Sequence, residues 1–321
     1  MALITFKIME KTGTVIKSTG SWYTVKENDQ IYNCKIKGNF RTKGFVATNP
    51  LTVGDHVNFI LKKEEDTGLI TKLHDRKNYI IRKSINLSHK AHIIAANVDH
   101  AYIVITIKMP QTHPIFIDRF LVSAEAYNIP TTLVFNKTDI YNETDKNQMQ
   151  ELIEIYSTVG YDSLKVSAKT KEGIDLLKEH LKNKVSVFAG NSGVGKSTLV
   201  NSIDPALKLK TAEISDYHKK GKHTTTFSEM FEFYFGGYII DTPGIKGFGL
   251  VDLEDENLAT YFPEMLKLQG ECRFYNCTHT HEPSCAVVEA VKDKKISLSR
   301  YKSYLSMLEN DSTKYRQDIY K

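Results

Sequence analysis

The 321-residue sequence predicts a multidomain chain. A small all-β barrel is expected over residues 1–86, an α/β domain with a parallel sheet over 87–252, and a helical metal-binding segment over 253–321. Three observations carry this reading. Short alternating stretches fill the first part, apolar runs alternate with helical stretches in the second, and three of the four cysteines cluster late in the chain.

In the first part, Thr14-Val15-Ile16, Trp22-Tyr23-Thr24-Val25, Ile31-Tyr32-Asn33-Cys34 and Val57-Asn58-Phe59-Ile60 are punctuated by Gly, Asn and Asp, with no long 3.6-residue period. That is the texture of a small barrel. Lys35, Lys37, Arg41 and Lys43 surround Phe40, and aromatics among bases can form a stacking platform for nucleic acid. A small barrel also needs aromatic core, and Trp22 is expected there; Cys34 is expected as a buried core thiol.

From residue 98 onward the pattern changes. The apolar runs Ala101 to Ile107, Thr132 to Phe135 and Val185 to Ala189 read as strands. Phe116 to Tyr127, Glu151 to Thr158, Ile174 to Leu181 and Ser197 to Ile203 read as helices. Continuous apolar strands alternating with helices imply a parallel sheet covered on both faces.

Composition narrows the class. Charged residues at 25% and hydrophobic ones at 41% fit a soluble globular protein. No apolar run approaches the roughly 20 residues of a membrane span. The opening MALITF is too short for a signal-peptide core and has no basic residue before it. A cytoplasmic location is expected, and in a reducing compartment a cysteine cluster reads first as a metal site. The net charge is +5, but through Lys83 there are 15 Lys and Arg against 8 Asp and Glu, a surplus of +7, so the remainder carries −2. A basic N-terminal part suits a phosphate-rich partner or a solubilising surface.

The sharpest motif is Gly190-Asn191-Ser192-Gly193-Val194-Gly195-Lys196-Ser197, which fits G-x-x-x-x-G-K-[ST] between a strand and a helix that continues through Thr198. Its glycines let backbone N–H groups converge on phosphate oxygens at a helix N-terminus. Lys196 is expected to neutralise the β and γ phosphates, and Ser197 to ligate Mg²⁺.

The base is read elsewhere. Asn136-Lys137-Thr138-Asp139 fits N-K-x-D after an apolar strand. Asp139 would accept hydrogen bonds from guanine N1 and N2, donors that adenine lacks. A site built on such bonds rejects the analogue by factors of about 10⁴–10⁵ in comparable cases. Asn136 would hold the loop, Lys137 would lie along the base, and Ser167-Ala168-Lys169 would add a backbone donor toward O6. Asp241-Thr242-Pro243-Gly244 follows the strand Tyr238-Ile239-Ile240 and fits D-x-x-G. Asp241 would reach Mg²⁺ through water, and the Gly244 amide would sense the γ-phosphate. GTP or GDP with Mg²⁺ is therefore the expected ligand set.

The order of these motifs is rotated. N-K-x-D and S-A-K precede the P-loop, whereas an ordinary GTPase places them last. The segment after Gly244, the second switch, then runs directly into the cysteine cluster, so hydrolysis is expected to move a whole domain. The rotated order, the basic barrel in front and the cysteines behind resemble the circularly permuted small-subunit ribosome-biogenesis GTPases, the RsgA/YjeQ family. Ile94-Ala95-Ala96-Asn97-Val98-Asp99 and Gly221-Lys222-His223-Thr224-Thr225-Thr226 share the likeness, which covers nearly the whole chain. The resemblance implies an OB-type barrel, a permuted GTPase domain, a zinc domain, and action late in maturation of the small (30S) ribosomal subunit. It implies that subunit and its rRNA as partners, with no membrane. A monomer is expected.

Cys272, Cys277, Cys285 and a histidine give four ligands suited to closed, structural, tetrahedral zinc. Spacing leaves His279 and His281 as rivals, and the resemblance favours His279. The basic residues Lys292, Lys294, Lys295, Arg300 and Lys302 form a second candidate grip on rRNA.

Catalysis is less complete. Ras-like enzymes carry a water-orienting glutamine directly after the D-x-x-G glycine, and here that residue is Ile245. His223 is the candidate replacement, since imidazole can position water or take its proton near neutral pH. One of Thr224 and Thr225 should complete the Mg²⁺ shell. Thr225 is preferred, because it resembles the second threonine of related T-T-R motifs. Two rivals stand beside the assembly GTPase: a signalling-type switch acting on protein effectors without RNA, and an RNA-binding module that keeps the GTPase fold only as scaffold.

Overall fold

The computed structural model describes residues 10–36, 50–61, 67–83, 91–208, 228–241 and 255–309. These fall into two compact units. One comprises Met1–Ala101, Ile174–Ala189 and Lys196–Gly247, the other Tyr102–Gly173, Gly190–Gly195 and Phe248–Lys321.

The first unit opens with strands β1 (Glu10–Ser18), β2 (Tyr23–Glu27), β3 (Gln30–Ile36), β4 (His56–Leu61) and β5 (Thr67–Leu73). They pair in the order β1-β2-β3-β5-β4, and β4 pairs back onto β1, which closes the barrel. Only β3 and β5 run parallel among these pairs. This is a five-stranded OB-type barrel. The β2–β3 hairpin turns through Asn28-Asp29, with Asn28 at a φ of 52°, a left-handed conformation that asparagine tolerates. Inward positions alternate, so Val15, Tyr23, Val25, Cys34, Val57, Phe59 and Ile70 form the core with Leu51. Cys34 is fully buried as expected, and burial pushes its thiol up to about 11. A β-carbon at Gly68 would lie 2.5 Å from the Cys34 sulfur, so that strand position needs glycine.

Trp22 departs from expectation. It is 41% exposed, with the Lys35 ammonium 4.2 Å from its ring centre. The physical reason is the two-residue period: Tyr23 and Val25 take the inward positions, and their neighbour Trp22 is turned out.

The hairpin β6 (Tyr79–Lys83) and β7 (Ala91–Ala96) follows the barrel. The stretch Ile94–Asp99 then acts as a joint. Asn97 donates from Nδ2 to the Gly54 carbonyl (2.9 Å) and accepts from the Lys77 N–H (2.9 Å). Asp99 accepts from the Val185 N–H at 2.7 Å. Buried Asp55 takes a two-point ion pair from Arg76 (2.6 and 2.7 Å), which fixes the barrel loop. In the same unit, β11 (Val185–Ala189), β13 (Tyr238–Asp241) and β12 (Glu229–Glu232) lie side by side in that order. β12 then pairs with barrel strand β1. Helices α3 (Ile174–Leu181) and α4 (Lys196–Ile203) complete this unit.

The second unit holds β9 (Thr131–Phe135), β10 (Asp162–Lys165) and most of β8 (His100–Ile105), ordered β10-β9-β8, with α1 (Pro114–Ala126) and α2 (Glu143–Val159). Every residue of β9 is buried, as its continuous apolar run predicts. Helix α2 starts eight residues before the predicted Glu151. Its first turns are polar and lack an apolar stripe, and the start signal is a capping box between Asn142 and Asp145.

The C-terminal part has a 3₁₀ turn (Asp255–Tyr261), α5 (Pro263–Leu266), α6 (Ala286–Lys292) and α7 (Leu298–Leu308). Phe262, Met265, Val287, Tyr304 and Met307 pack with Val122 of α1. Among the described residues, no helix is long and apolar enough to cross a membrane. Arg300 overturns its place in the basic grip. It is 1% exposed and donates to Asp118 Oδ1 of α1 (2.7 Å) and to both Glu264 oxygens (2.8 and 3.0 Å). Lys292 and Lys295 pair with Glu289 and Asp293.

Candidate nucleotide site and metal centre

The P-loop lies where strand-loop-helix logic puts it, directly after β11 and before α4. Gly190, Gly193 and Gly195 have φ of 142°, 83° and 94°, backbone that residues with a β-carbon resist. Gly195 has a second reason to be glycine: a β-carbon there would meet Asn136 Nδ2 at 2.6 Å.

That near-contact is part of a latch between two motifs 58 residues apart. Asn136 Nδ2 donates to the Val194 carbonyl at 2.9 Å. The Lys137 ammonium donates to the carbonyls of Gly193, at 2.8 Å, and Met109. Lys137 itself sits at a φ of 66°, which turns its side chain along the loop. Burial lowers its pKa from the ordinary 10.5, with Asp139 opposing. Asn136 Oδ1 also accepts from the Ala168 N–H (3.2 Å), and Ser167 Oγ donates to Asp139 Oδ1 (2.7 Å). The N-K-x-D turn, the S-A-K turn and the loop Gly190–Gly195 thus form one hydrogen-bonded assembly within the second unit. Lys169 is exposed beside it.

Sequence motifs missed two supports. Tyr141 donates to the Asn136 carbonyl (2.6 Å) and accepts from the Ile107 N–H (2.9 Å), pinning the turn; burial pushes its hydroxyl up to about 12. Met109, 73% exposed, contributes its carbonyl to Lys137. Neither carries a motif; an aromatic two residues after Asp139 is the only sequence signal.

Lys196 and Ser197 begin α4 immediately after the loop, Ser197 buried and Thr198 exposed. Asp241 ends β13, which runs parallel to β11. His223, Thr224, Thr225 and Gly244 lie outside the described residues, as do Ile245 and the candidate RNA-binding residues Lys37, Arg41 and Lys43. Lys35 is described, on β3 against Trp22.

The cysteine cluster is a closed set. The ligand atoms of Cys272, Cys277, His279 and Cys285 all lie within 4.8 Å of one another. Zinc–sulfur bonds of about 2.3 Å and zinc–nitrogen bonds of about 2.0–2.1 Å put tetrahedral S···S edges near 3.8 Å and S···N edges near 3.5 Å. Cys272 Sγ to Cys285 Sγ is 3.9 Å, and His279 Nδ1 lies 3.5 and 3.4 Å from those two sulfurs. The donor set therefore fits a zinc ion. His281 is outside the set, with Nδ1 on Thr280 Oγ1.

The loop that presents these ligands is held by Glu282, which sequence reasoning passed over. It accepts from the Thr278 hydroxyl and from the N–H groups of Thr278 and Thr280. Burial acts to raise its pKa, but these donors outweigh burial and hold the carboxyl well below the usual range. From α7, Tyr301 and Tyr304 donate to the carbonyls of His279 (2.8 Å) and Thr278 (2.7 Å).

Comparison with known proteins matches this geometry. The family model for the RsgA GTPase matches residues 73–251, and that for the RsgA N-terminal domain matches residues 12–70. The chain is 57% identical over 306 residues to a small ribosomal subunit biogenesis GTPase, RsgA 2, of Bacteroides thetaiotaomicron, covering 95% of this chain and 98% of that one. It is 56% identical over 312 residues to the RsgA of Flavobacterium psychrophilum, covering 96% of each. Among solved structures, YjeQ from Thermotoga maritima superposes with a TM-score of 0.79 at 38% identity, over 94% of this chain and 98% of the other. YloQ, described as a circularly permuted GTPase, superposes with a TM-score of 0.74 at 28% identity, over 96% and 97%.

Proposed function

The chain belongs to the RsgA GTPase family, and from that footing we propose that it binds the small ribosomal subunit and uses GTP hydrolysis to time late maturation of that subunit and its own release. Its proposed working parts are the barrel at 1–86, the permuted GTPase core at 87–252 and the zinc-binding end at 253–321. It works in the cytoplasm, as a monomer.

The observation that carries the nucleotide half is the latch from Asn136 and Lys137 onto the P-loop carbonyls. It joins the base-reading turn to the phosphate-binding loop although the chain order is rotated. In this reading Asp139 pairs with guanine N1 and N2, and the Ala168 N–H meets O6. The amides of Gly190–Gly195 and the Lys196 ammonium take the phosphates. Ser197, Thr225 and Asp241 serve Mg²⁺, which when bound offsets charge developing on the phosphates. The Gly244 amide meets the γ-phosphate. His223 orients or deprotonates the attacking water, the role Ile245 cannot fill. Cys272, Cys277, His279 and Cys285 hold one structural zinc.

The ribosomal half rests on the likeness to named relatives and on the basic barrel, where Lys35 lies over exposed Trp22. That pair supports a stacking contact with unpaired rRNA bases. The test is binding to purified small subunits across a salt series. Affinity that falls steeply with salt supports the reading, because phosphate contacts release counterions. Salt-independent binding, or none, favours the protein-effector switch. Turnover must also be lost in Lys196→Ala; retained turnover removes the P-loop from the mechanism. His223→Ala with unchanged stimulated turnover removes the histidine.

A further inference from the structure

Asn136 is the hub of the base-reading turn, and each of its polar groups has its own partner. The side chain reaches the Val194 carbonyl and the Ala168 N–H. The backbone N–H donates to the Ile105 carbonyl at 2.9 Å. The backbone carbonyl accepts from the Tyr141 hydroxyl at 2.6 Å. Asn136 is buried, so these groups cannot turn to water instead.

The last of these bonds stands where a rung of the sheet belongs. β8 and β9 are neighbours joined through α1, the kind of crossover that connects parallel strands. In a parallel ladder a residue donates from its N–H to one residue of the partner strand. Its carbonyl accepts from the N–H two residues further along that strand. Asn136 makes the first bond, to Ile105, so Ile107 is the expected donor for the second. Ile107 donates instead to the Tyr141 hydroxyl, at 2.9 Å. The phenol oxygen thus sits between the two backbone groups, accepting from one and donating to the other.

A hydroxyl in place of a direct rung holds the two strand ends apart. In open α/β sheets, ligands bind outside the carboxyl ends of strands, where the connections diverge. Beyond Ile107 the chain folds back: the Thr112 N–H donates to the Thr106 carbonyl at 2.8 Å, and the Thr106 hydroxyl donates to the Pro110 carbonyl. That turn carries the Met109 carbonyl to the Lys137 ammonium. Tyr141 also ends the 3₁₀ turn Thr138–Ile140, its own N–H donating to the Thr138 carbonyl at 3.3 Å. One residue therefore holds the N-K-x-D turn on both sides of Asp139.

We propose that Tyr141 is a positioning residue for guanine recognition: its hydroxyl, standing in for a β8–β9 rung, sets the opening of the strand ends and with it the placement of Asp139 against the base. The proposal rests on the reading of Asp139 as the group that meets guanine N1 and N2. Without the hydroxyl, the Asn136 carbonyl and the Ile107 N–H are left unpaired, or they pair directly and draw the strand ends together. Either result frees or re-aims the turn that carries Asp139.

The experiment is calorimetric titration of the full chain with GDP and with inosine diphosphate, which lacks the N2 amino group. The chains compared are the parent, Tyr141→Phe and Tyr161→Phe, at a temperature where all three are folded, with thermal melting measured alongside. Tyr161 is the control: a buried phenol that donates to Glu125 at 2.8 Å, just before β10 and so at the end of the parallel β9–β10 pair opposite the turn. Tyr141→Phe should weaken GDP binding about tenfold and inosine diphosphate binding about threefold, so that the preference for GDP shrinks about threefold. Tyr161→Phe should lower the melting temperature and leave that preference alone. Tyr141→Phe behaving in the same way would mark a merely structural tyrosine and overturn the proposal. Fluorotyrosine placed at position 141 keeps the hydroxyl and should keep the parent preference. A preference as compressed there as in Tyr141→Phe assigns the effect to ring packing and also overturns the proposal. A parent that binds both nucleotides equally removes the reading of Asp139, and the proposal with it, whatever Tyr141→Phe does.

Discussion

Arg300 offers the most decisive perturbation of the C-terminal part. Its guanidinium is fully enclosed, bonded to Asp118 on one side and Glu264 on the other, with the Phe262 ring centre 4.8 Å away. Burial works against its charge, but Asp118 and Glu264 outweigh burial and hold its pKa above the ordinary value. Asp118 also accepts from Tyr156 of α2 at 2.9 Å. Arg300→Met would leave Asp118 with the neutral donors Tyr156 and Ser303 and strip Glu264 of its cation. Breaking a buried pair by removing one partner costs about 3–5 kcal/mol. At about 2–4 °C per kcal/mol for a unit of this size, the melting temperature should fall by roughly 6–20 °C. Scanning calorimetry is the suitable assay, because the single tryptophan lies in the barrel and does not report on these helices. A triple change to apolar residues at Asp118, Glu264 and Arg300 should cost less than Arg300→Met alone, since it leaves no buried charge unpaired. A single-variant cost below about 1 kcal/mol, or a triple variant worse than the single, would show that the buried pair does not hold these helices together. The same network bears on the expected domain movement after hydrolysis. Lifting α7 from α1 would break this pair, so a switch acting there must supply a comparable free energy.

Three further outcomes follow from the sites. Asp139→Asn should weaken GTP binding at least a hundredfold while leaving the fold intact, and should favour xanthine, whose O2 accepts where guanine N2 donates; titration with both nucleotides checks it. The purified chain should carry one zinc per molecule by elemental analysis, and Cys285→Ala or strong chelation should release it and unfold the loop around Glu282, seen as lost hydrogen-exchange protection. Glu232 is held below its ordinary 4.5 by the hydrogen bond from Lys26, with burial opposing. Its contribution to stability is then complete above about pH 4.5 and lost as pH falls through the lowered value. The stability gap to Glu232→Gln should be flat above that pH and close in acid.

Much of this molecule was legible in its sequence, because the informative signals are local. The apolar run Thr132–Phe135, the glycines at 190, 193 and 195 and the cysteine spacing each state their own environment. The motifs also combine, since each follows a strand and each suits one ligand. What was not legible depends on partners far along the chain. Lys17 and Glu229, an ion pair between β1 and β12, are 212 residues apart, and Arg300 and Asp118 are 182 apart. Nothing near Arg300 in the sequence distinguishes it from Lys302, the exposed lysine of the same helix. Trp22 was misplaced because its bulk suggested core, while the alternation of Tyr23 and Val25 had already assigned the inward face. Helix α2 began early because a polar first turn is announced by its cap and lacks hydrophobic period.

In the proposed function, the protein is a GTP-specific enzyme that answers to the small ribosomal subunit. The measurement that bears on this most directly is steady-state turnover of GTP against ATP by the purified 321-residue chain, alone, with small subunits and with large subunits as control. Unaided GTP hydrolysis should be slow, about 10⁻⁴–10⁻² s⁻¹, with marked stimulation by small subunits only and no ATP turnover in any arm. Equal turnover of ATP, or GTP hydrolysis indifferent to small subunits, would contradict it.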